Sequence, residues 1–322
     1  MRFIKRSAVL LALVIIAIFI VSSIGGGKDI TITINQGQSL MQIAETLKEN
    51  DVILSKYLFV FKTRLSGNSS NLKYGDFVLN SDMSYDEIIE KLTTEGAKKE
   101  TVTLTIPEGY SAEMIAKKCE DTGLFTKDEF LSALGDDYNY DFIKKIPKKD
   151  VNYTLQGFLF PSTYEIYTDS SAHDVINIML SEFEKQYPAD YDDIFNVITK
   201  ASLIERETKL DSERKTISGV IQNRIKKEML LQIDASVVYA KTNGMYDADK
   251  VYYKDLETNS KYNTYKYVGL PVGPICSPGL ESIKAALNPE NHSYLYYHTD
   301  EVKKDGSHIF TETFEQHTST MN

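Results

Sequence analysis

TKASLIERETKLDSERKTISGVIQNRIKKEMLLQIDASVVYA, residues 199–240, is the stretch around which the rest of the chain can be organised. Ile194, Phe195 and Ile198 upstream of it, then Ser202 and Leu203 within it, keep a helical apolar rhythm that delivers Glu205 at the end of a helix whose other face is core. A carboxyl half buried there loses hydration, which favours the protonated form that a general acid must hold. Against this, a Glu flanked by Arg206 and Lys209 is more often a solvated or salt-bridged surface residue. Glu207 is the obvious second carboxylate, but at i+2 on a helix it points about 200° away and cannot share a site with Glu205. Ser212 then starts another helix, with Ile217, Val220, Ile221 and Ile225 on one face and Asn223 and Arg224 beside the buried seam. Gln232 and Asp234 follow in a short polar step.

At 322 residues, 42% of them hydrophobic and 25% charged, the chain can bury two or three modest cores. Arg2, Lys5 and Arg6 precede an unbroken apolar run from Ala8 to Val21, with no helix breaker and no clear Ala-x-Ala cleavage site. Residues 1–28 therefore read as a cytoplasmic tip and a transmembrane anchor, with a cleaved signal peptide as the alternative. The basic tip stays in the cytoplasm, which places everything after Gly27 on the outer side of the cytoplasmic membrane. The net charge of −10 is more negative still beyond residue 28, since that segment holds basic residues and no acidic one. Polyanions, nucleic acid included, are poor partners for such a surface. Cys119 and Cys276 form no CxxC pair and read as free, unreactive thiols. His173, His292, His298, His308 and His317 show no metal-ligand spacing, and there is no Gly-rich phosphate loop, so neither metal nor cofactor is expected.

Beyond the anchor, Ile30, Ile32 and Ile34 alternate with Thr31, Thr33 and Asn35, the period of a half-buried strand. Ser39 with Gln42 makes a capping box for a helix carrying Leu40, Ile43, Ala44 and Leu47 on one face. A second apolar helix covers 57–65, YGDFVL at 74–79 reads as a returning strand, and Ser84 with Glu87 caps a further helix through Leu92. A shift of 72 positions sets Thr31 on Thr103, Gly37 on Gly109, Ser39 on Ser111 and Ile43 on Ile115, the mark of a duplicated strand–helix unit. Four regions follow: the anchor at 1–28, a module at 29–98, a second strand–helix unit and connection at 99–150, and a catalytic region at 151–322. The module at 29–98 resembles LysM, a small βααβ glycan-binding fold, and that resemblance implies contact with amino-sugar chains. Further on, KYNTYKYVGLPVGPICSPG at 261–279 is a loop stiffened by Pro271, Pro274 and Pro278. It can wall a groove or simply cover the core. With no Trp in the chain, its 21 tyrosines must supply any stacking platform for sugar rings.

The blocks GFLFPSTYEI, ASLIERET, VIQNRIKKEMLLQIDASVVYA, YNTY, GLPVGPICSPGLESIKAALNP and YLYY, in this order across 102–311, resemble the YceG-like, or MltG, family of endolytic murein transglycosylases. The resemblance implies cleavage of peptidoglycan glycan strands at the MurNAc–GlcNAc bond, leaving 1,6-anhydroMurNAc ends, with peptidoglycan synthases as partners. It also implies Glu205 as the catalytic acid and Gln232, Asp234, Asn263 and Tyr265 as groove residues, to which Asn223 is added as a candidate for substrate contact. Ile233, Ala235 and Val272 depart from the family pattern, which puts the groove contour in question. The fold expected is α+β, with an N-terminal transmembrane helix, a LysM-like βααβ module and a mixed α+β catalytic domain. One acid suffices for such chemistry, because the sugar's own C6 hydroxyl replaces an activated water. Two other readings stand beside it: a hydrolysing muramidase that uses Asp234 to activate water, and a non-catalytic wall-binding scaffold.

Overall fold

The computed structural model describes residues 27–35, 37–69, 71–95, 101–147, 150–248 and 250–321. Isoleucine–threonine alternation makes β1 (Asp29–Ile34), whose Ile32 and Ile34 point inward. It pairs antiparallel with β2 (Gly75–Asn80), setting Asp29 opposite Asn80 and Ile34 opposite Gly75. Two helices, α1 (Leu40–Glu49) and α2 (Lys56–Leu65), lie between these strands in sequence. A third, α3 (Tyr85–Thr94), follows β2. Ser39 and Ser84 close reciprocal capping boxes with Gln42 and Glu87, satisfying amides that the first helical turn leaves without partners. Ile32, Leu47, Phe59, Leu79, Ile88 and Leu92 are among the side chains that form the core of this unit.

The chain divides into two compact units at Glu100 and Thr101. In the second, β3 (Thr101–Thr105) pairs antiparallel with β4 (Thr163–Tyr167), Thr101 opposite Tyr167. Between them run α4 (Ala112–Asp121), capped by Ser111, and α5 (Lys127–Ala133), capped by Thr126 and Glu129. The order is again strand, helix, helix, strand. The repeat seen at a shift of 72 thus continues to a closing strand that lies past residue 150. The expected boundary at 150 therefore falls inside one compact unit, in which β3 has its partner beyond residue 150 and the core is shared. One apolar cluster runs from Leu104 and Phe130 through Phe158, Phe183 and Ile198 to Ile275 and Ala286.

The rest of this unit is helical with one small sheet. Next along the chain are α6 (Ala172–Gln186), α7 (Ile194–Glu207), α8 (Asp211–Lys226), α9 (Asp234–Lys241) and α10 (Leu280–Leu287). They are followed by the antiparallel pair β5 (Tyr296–Thr299) and β6 (His308–Thr311), then α11 (Phe314–Thr320). Gly157 shows how tightly the proline loop is laid down, since a Cβ there would stand 2.6 Å from Pro274 and 2.8 Å from Ile198 of α7. The chain also takes a positive φ of 90° at that position, which glycine adopts without strain. Cys119 and Cys276 are free and buried, and burial pushes the Cys119 thiol up to about 12. The expected transmembrane helix falls outside the described residues. Among those described, no helix is long and apolar enough to cross a membrane.

Candidate active site

Helix α7 ends with two carboxylates that leave it on different sides, as a 100° step per residue requires at i+2. Glu205 turns toward α8 and α10. Its Oε2 lies 3.2 Å from Arg214 Nη1, both side chains being buried, and accepts the Gly279 N–H at 3.0 Å at the start of α10. Arg214 in turn bonds Asp211 at 2.8 Å and Ser282 at 2.5 Å, so that Glu205 ties three helix ends together. Glu108 faces this pair, and its carboxyl is held above the usual range by burial first and then by the charge of Glu205.

Glu207, and not the expected Glu205, is the carboxylate that meets the predicted groove residues. It lines a cleft of about 730 Å³ with Gln232, Asp234, Tyr265, Tyr296 and Tyr297, a set from which Glu205 is absent. The Tyr297 hydroxyl donates to Glu207 at 2.6 Å. Burial raises the Glu207 carboxyl above its ordinary range; the Tyr297 donor pulls the other way, and the charge of Asp234 adds to the rise. Glu205 and Glu207 both border a second opening of about 630 Å³, whose walls include Glu108, Arg206 and Lys209.

The opposite wall depends on Thr264. Its carbonyl accepts the Gln232 N–H, its hydroxyl accepts the Ile233 N–H, and the same hydroxyl lies 2.9 Å from Ser236 Oγ. The 232–236 turn is thereby fixed to the YNTY loop, with Gln232 in the left-handed region at φ 53° and exposed. That junction sets Asp234, at the first turn of α9, against Tyr265, whose hydroxyl donates to Asp234 at 2.5 Å. Burial, and then the neighbouring Asp234 charge, hold the Tyr265 phenol up, so it stays a donor.

Asn263 and Asn223 belong behind the wall, against the expectation that they touch substrate. Asn263 is fully buried; its amide nitrogen donates to the Leu256 and Thr258 carbonyls, and its oxygen accepts the Tyr265 N–H. Every polar atom of the side chain is spent on the loop that presents Tyr265. Asn223 donates to the carbonyls of His292 and Tyr294, and the next residue, Arg224, donates to those of Leu295, Leu230 and Leu231. These bonds lash the strand bearing Tyr296 and Tyr297 to α8. Gly219 permits the approach, because a Cβ there would meet His292 at 2.4 Å. The YLYY tyrosines and Arg224 received no role from the sequence. The aromatic run at 294–297 is the signal that the sequence offers for the tyrosines, but what they face is set by β5 returning to α7 and α8.

A family model described as the YceG-like family matches residues 32–322, and the chain belongs to that family. A protein of Bacillus subtilis named endolytic murein transglycosylase is 35% identical over 305 residues, which span 89% of this chain and 82% of that one. A protein of the same name from Streptococcus pneumoniae is 30% identical over 301 residues, 85% of this chain but 54% of its own longer length. Among solved structures, a yceG-like protein of Listeria monocytogenes is 32% identical and superposes with a TM-score of 0.58, covering 90% of this chain and 98% of that one.

Proposed function

We propose that this chain cleaves the glycan strands of peptidoglycan within their length, as an endolytic murein transglycosylase, and that Glu207 is its acid. The observation that carries the reading is a half-buried carboxyl, biased toward its protonated form, opening onto a cleft walled by tyrosines, an amide and one further carboxylate. The name shared by the relatives supplies the substrate class. Glu207 gives its proton to the bridging oxygen as the bond from the MurNAc anomeric carbon breaks. The C6 hydroxyl of the same sugar then bonds to that carbon, and its proton returns to Glu207. No water is consumed, and the 1,6-anhydro end forms by attack of a group already held in place. The Tyr265–Asp234 pair and Gln232 offer hydrogen bonds to hydroxyl and acetamido groups along the cleft.

Asp234 in the same cleft favours one second reading, hydrolysis by a muramidase in which that carboxylate activates water. Mass analysis of muropeptides from purified sacculi decides between them. Transglycosylation yields products lighter by one water than hydrolysis does, and hydrolytic masses throughout would replace the first reading with the second.

Residues 1–28 complete the proposal as a cytoplasmic-membrane anchor and 29–98 as a LysM-like module, which together keep the cleft near new strands and their synthases. The apolar run at 8–21 supports the first, and the strand–helix–helix–strand order supports the second. A pH test follows from Tyr297. Strand cleavage falls as pH rises through the Glu207 titration, since the acid form is the competent one. Tyr297 donates to the carboxylate and so favours its ionised form. Tyr297→Phe removes that donor, so the alkaline limb of the rate profile moves to higher pH; an unmoved limb assigns the proton to another group.

A further inference from the structure

We propose that helix α2 is a membrane-surface contact, its exposed apolar face seated at the headgroup boundary of an anionic bilayer. The proposal rests on the anchor reading of residues 1–28. Leu54 is 90% exposed, Tyr57 70%, Phe61 61% and Leu65 77%, with Leu58 also out, while Phe59, Val60 and Thr63 fill the core side. At about 100° per residue the four of these on the helix, Tyr57, Leu58, Phe61 and Leu65, fall within an arc of about 100°, well separated from the buried face, and Leu54 stands exposed just before the N-cap. Lys62 and Arg64 stand at the two borders of that arc, and α2 carries no acidic residue. An apolar face edged by cations is the pattern of a helix lying in a lipid interface. Lys62 also reaches Asp86 at 2.7 Å, an exposed pair whose small net worth does not bar a phosphate from competing.

The bonding of the unit says which side faces the bilayer. Gly27 is held by residues at the end of β2: its N–H donates to Asp82 at 2.5 Å and its carbonyl accepts from Asn80 at 2.8 Å. Tyr85, just beyond, accepts the Ser55 N–H at 2.9 Å, and Ser55 caps α2. The point where the chain joins the unit and the start of the apolar helix are therefore tied to one short segment. The apolar run ends at Val21, so at most about 20 Å of extended chain separates it from Gly27. A tether of that length holds the exposed face within reach of the surface from which it springs.

The chain contains no Trp, so one introduced indole reports alone. Full-length Phe61→Trp, reconstituted in vesicles of phosphatidylethanolamine and phosphatidylglycerol, gives blue-shifted emission that lipids brominated near the headgroup quench. Thr31→Trp, on the outer face of β1 across the core from α2, keeps water-like, unquenched emission. Adding Arg64→Glu to the Phe61→Trp chain lowers the quenching. Flotation separates the two ideas at stake. A chain that floats with the vesicles while its Phe61→Trp indole goes unquenched overturns the surface contact alone. Emission that is blue-shifted yet unquenched does the same and assigns the face to a protein partner, another copy or the chain's own second unit. A chain that does not float overturns the anchor and this contact together.

Discussion

Glu207→Gln leaves a folded protein whose rate of strand cleavage falls by about a hundred- to ten-thousand-fold, the usual share of a positioned general acid. Gln keeps the shape of the side chain and an oxygen for the Tyr297 hydroxyl, so the cleft wall survives while the transferable proton is gone. The same change removes a carboxyl whose ionised form is disfavoured in this position. Sign follows from the direction of the shift: a carboxyl raised on folding favours the native state at pH below its unfolded value, and that contribution is lost as pH rises through the folded value. At neutral pH the variant should therefore melt no lower than the parent. Muropeptide release and thermal melting on the same preparation check both halves, and near-parental cleavage by the variant would remove Glu207 from the mechanism.

Glu205→Ala produces the opposite profile. It strips Arg214 of one of its two carboxylate partners in a place where both side chains are nearly out of water, at 6% and 7% exposure. Breaking a buried pair from one side typically costs about 3–5 kcal/mol, and the lower end applies here because Asp211 still holds the guanidinium at 2.8 Å. The Gly279 amide also loses its acceptor at the head of α10. A loss of about 3 kcal/mol should show in denaturant melts as a shifted midpoint. Activity of the surviving folded fraction, measured below the melt, should stay within reach of the parent. A stable but inactive Glu205→Ala would return the catalytic role to that residue.

Much of the local structure is written in short-range signals, and the structure carries them. Ser39 with Gln42, Ser84 with Glu87, and the Ile194–Ile198–Ser202 rhythm each specify a helix from neighbours a few positions apart. What sequence could not carry is pairing across distance. Thr101–Thr105 reads as a strand, but its partner lies about sixty residues on, beyond two intervening helices and outside the reach of any local signal. The two glutamates repeat the lesson at one site. Helical geometry says that they diverge, yet which of them faces the cleft depends on where 232–236, 264–265 and 296–297 return, and on whether Arg214 waits on the other side. Asn263 and Asn223 look like sugar-reading amides in a list of residue types. Both are instead occupied by backbone carbonyls, a use of Asn that short loops commonly make.

Glu207 can be approached from two openings, one on the side of Tyr265 and Tyr296 and the other on the side of Arg206 and Lys209. A reactive group at the bottom of a blind pouch must wait for a polymer terminus, whereas one on a saddle between two hollows can be straddled by a thread at any point. Scission frequency on such a saddle scales with the contour length of the thread rather than with its number of ends.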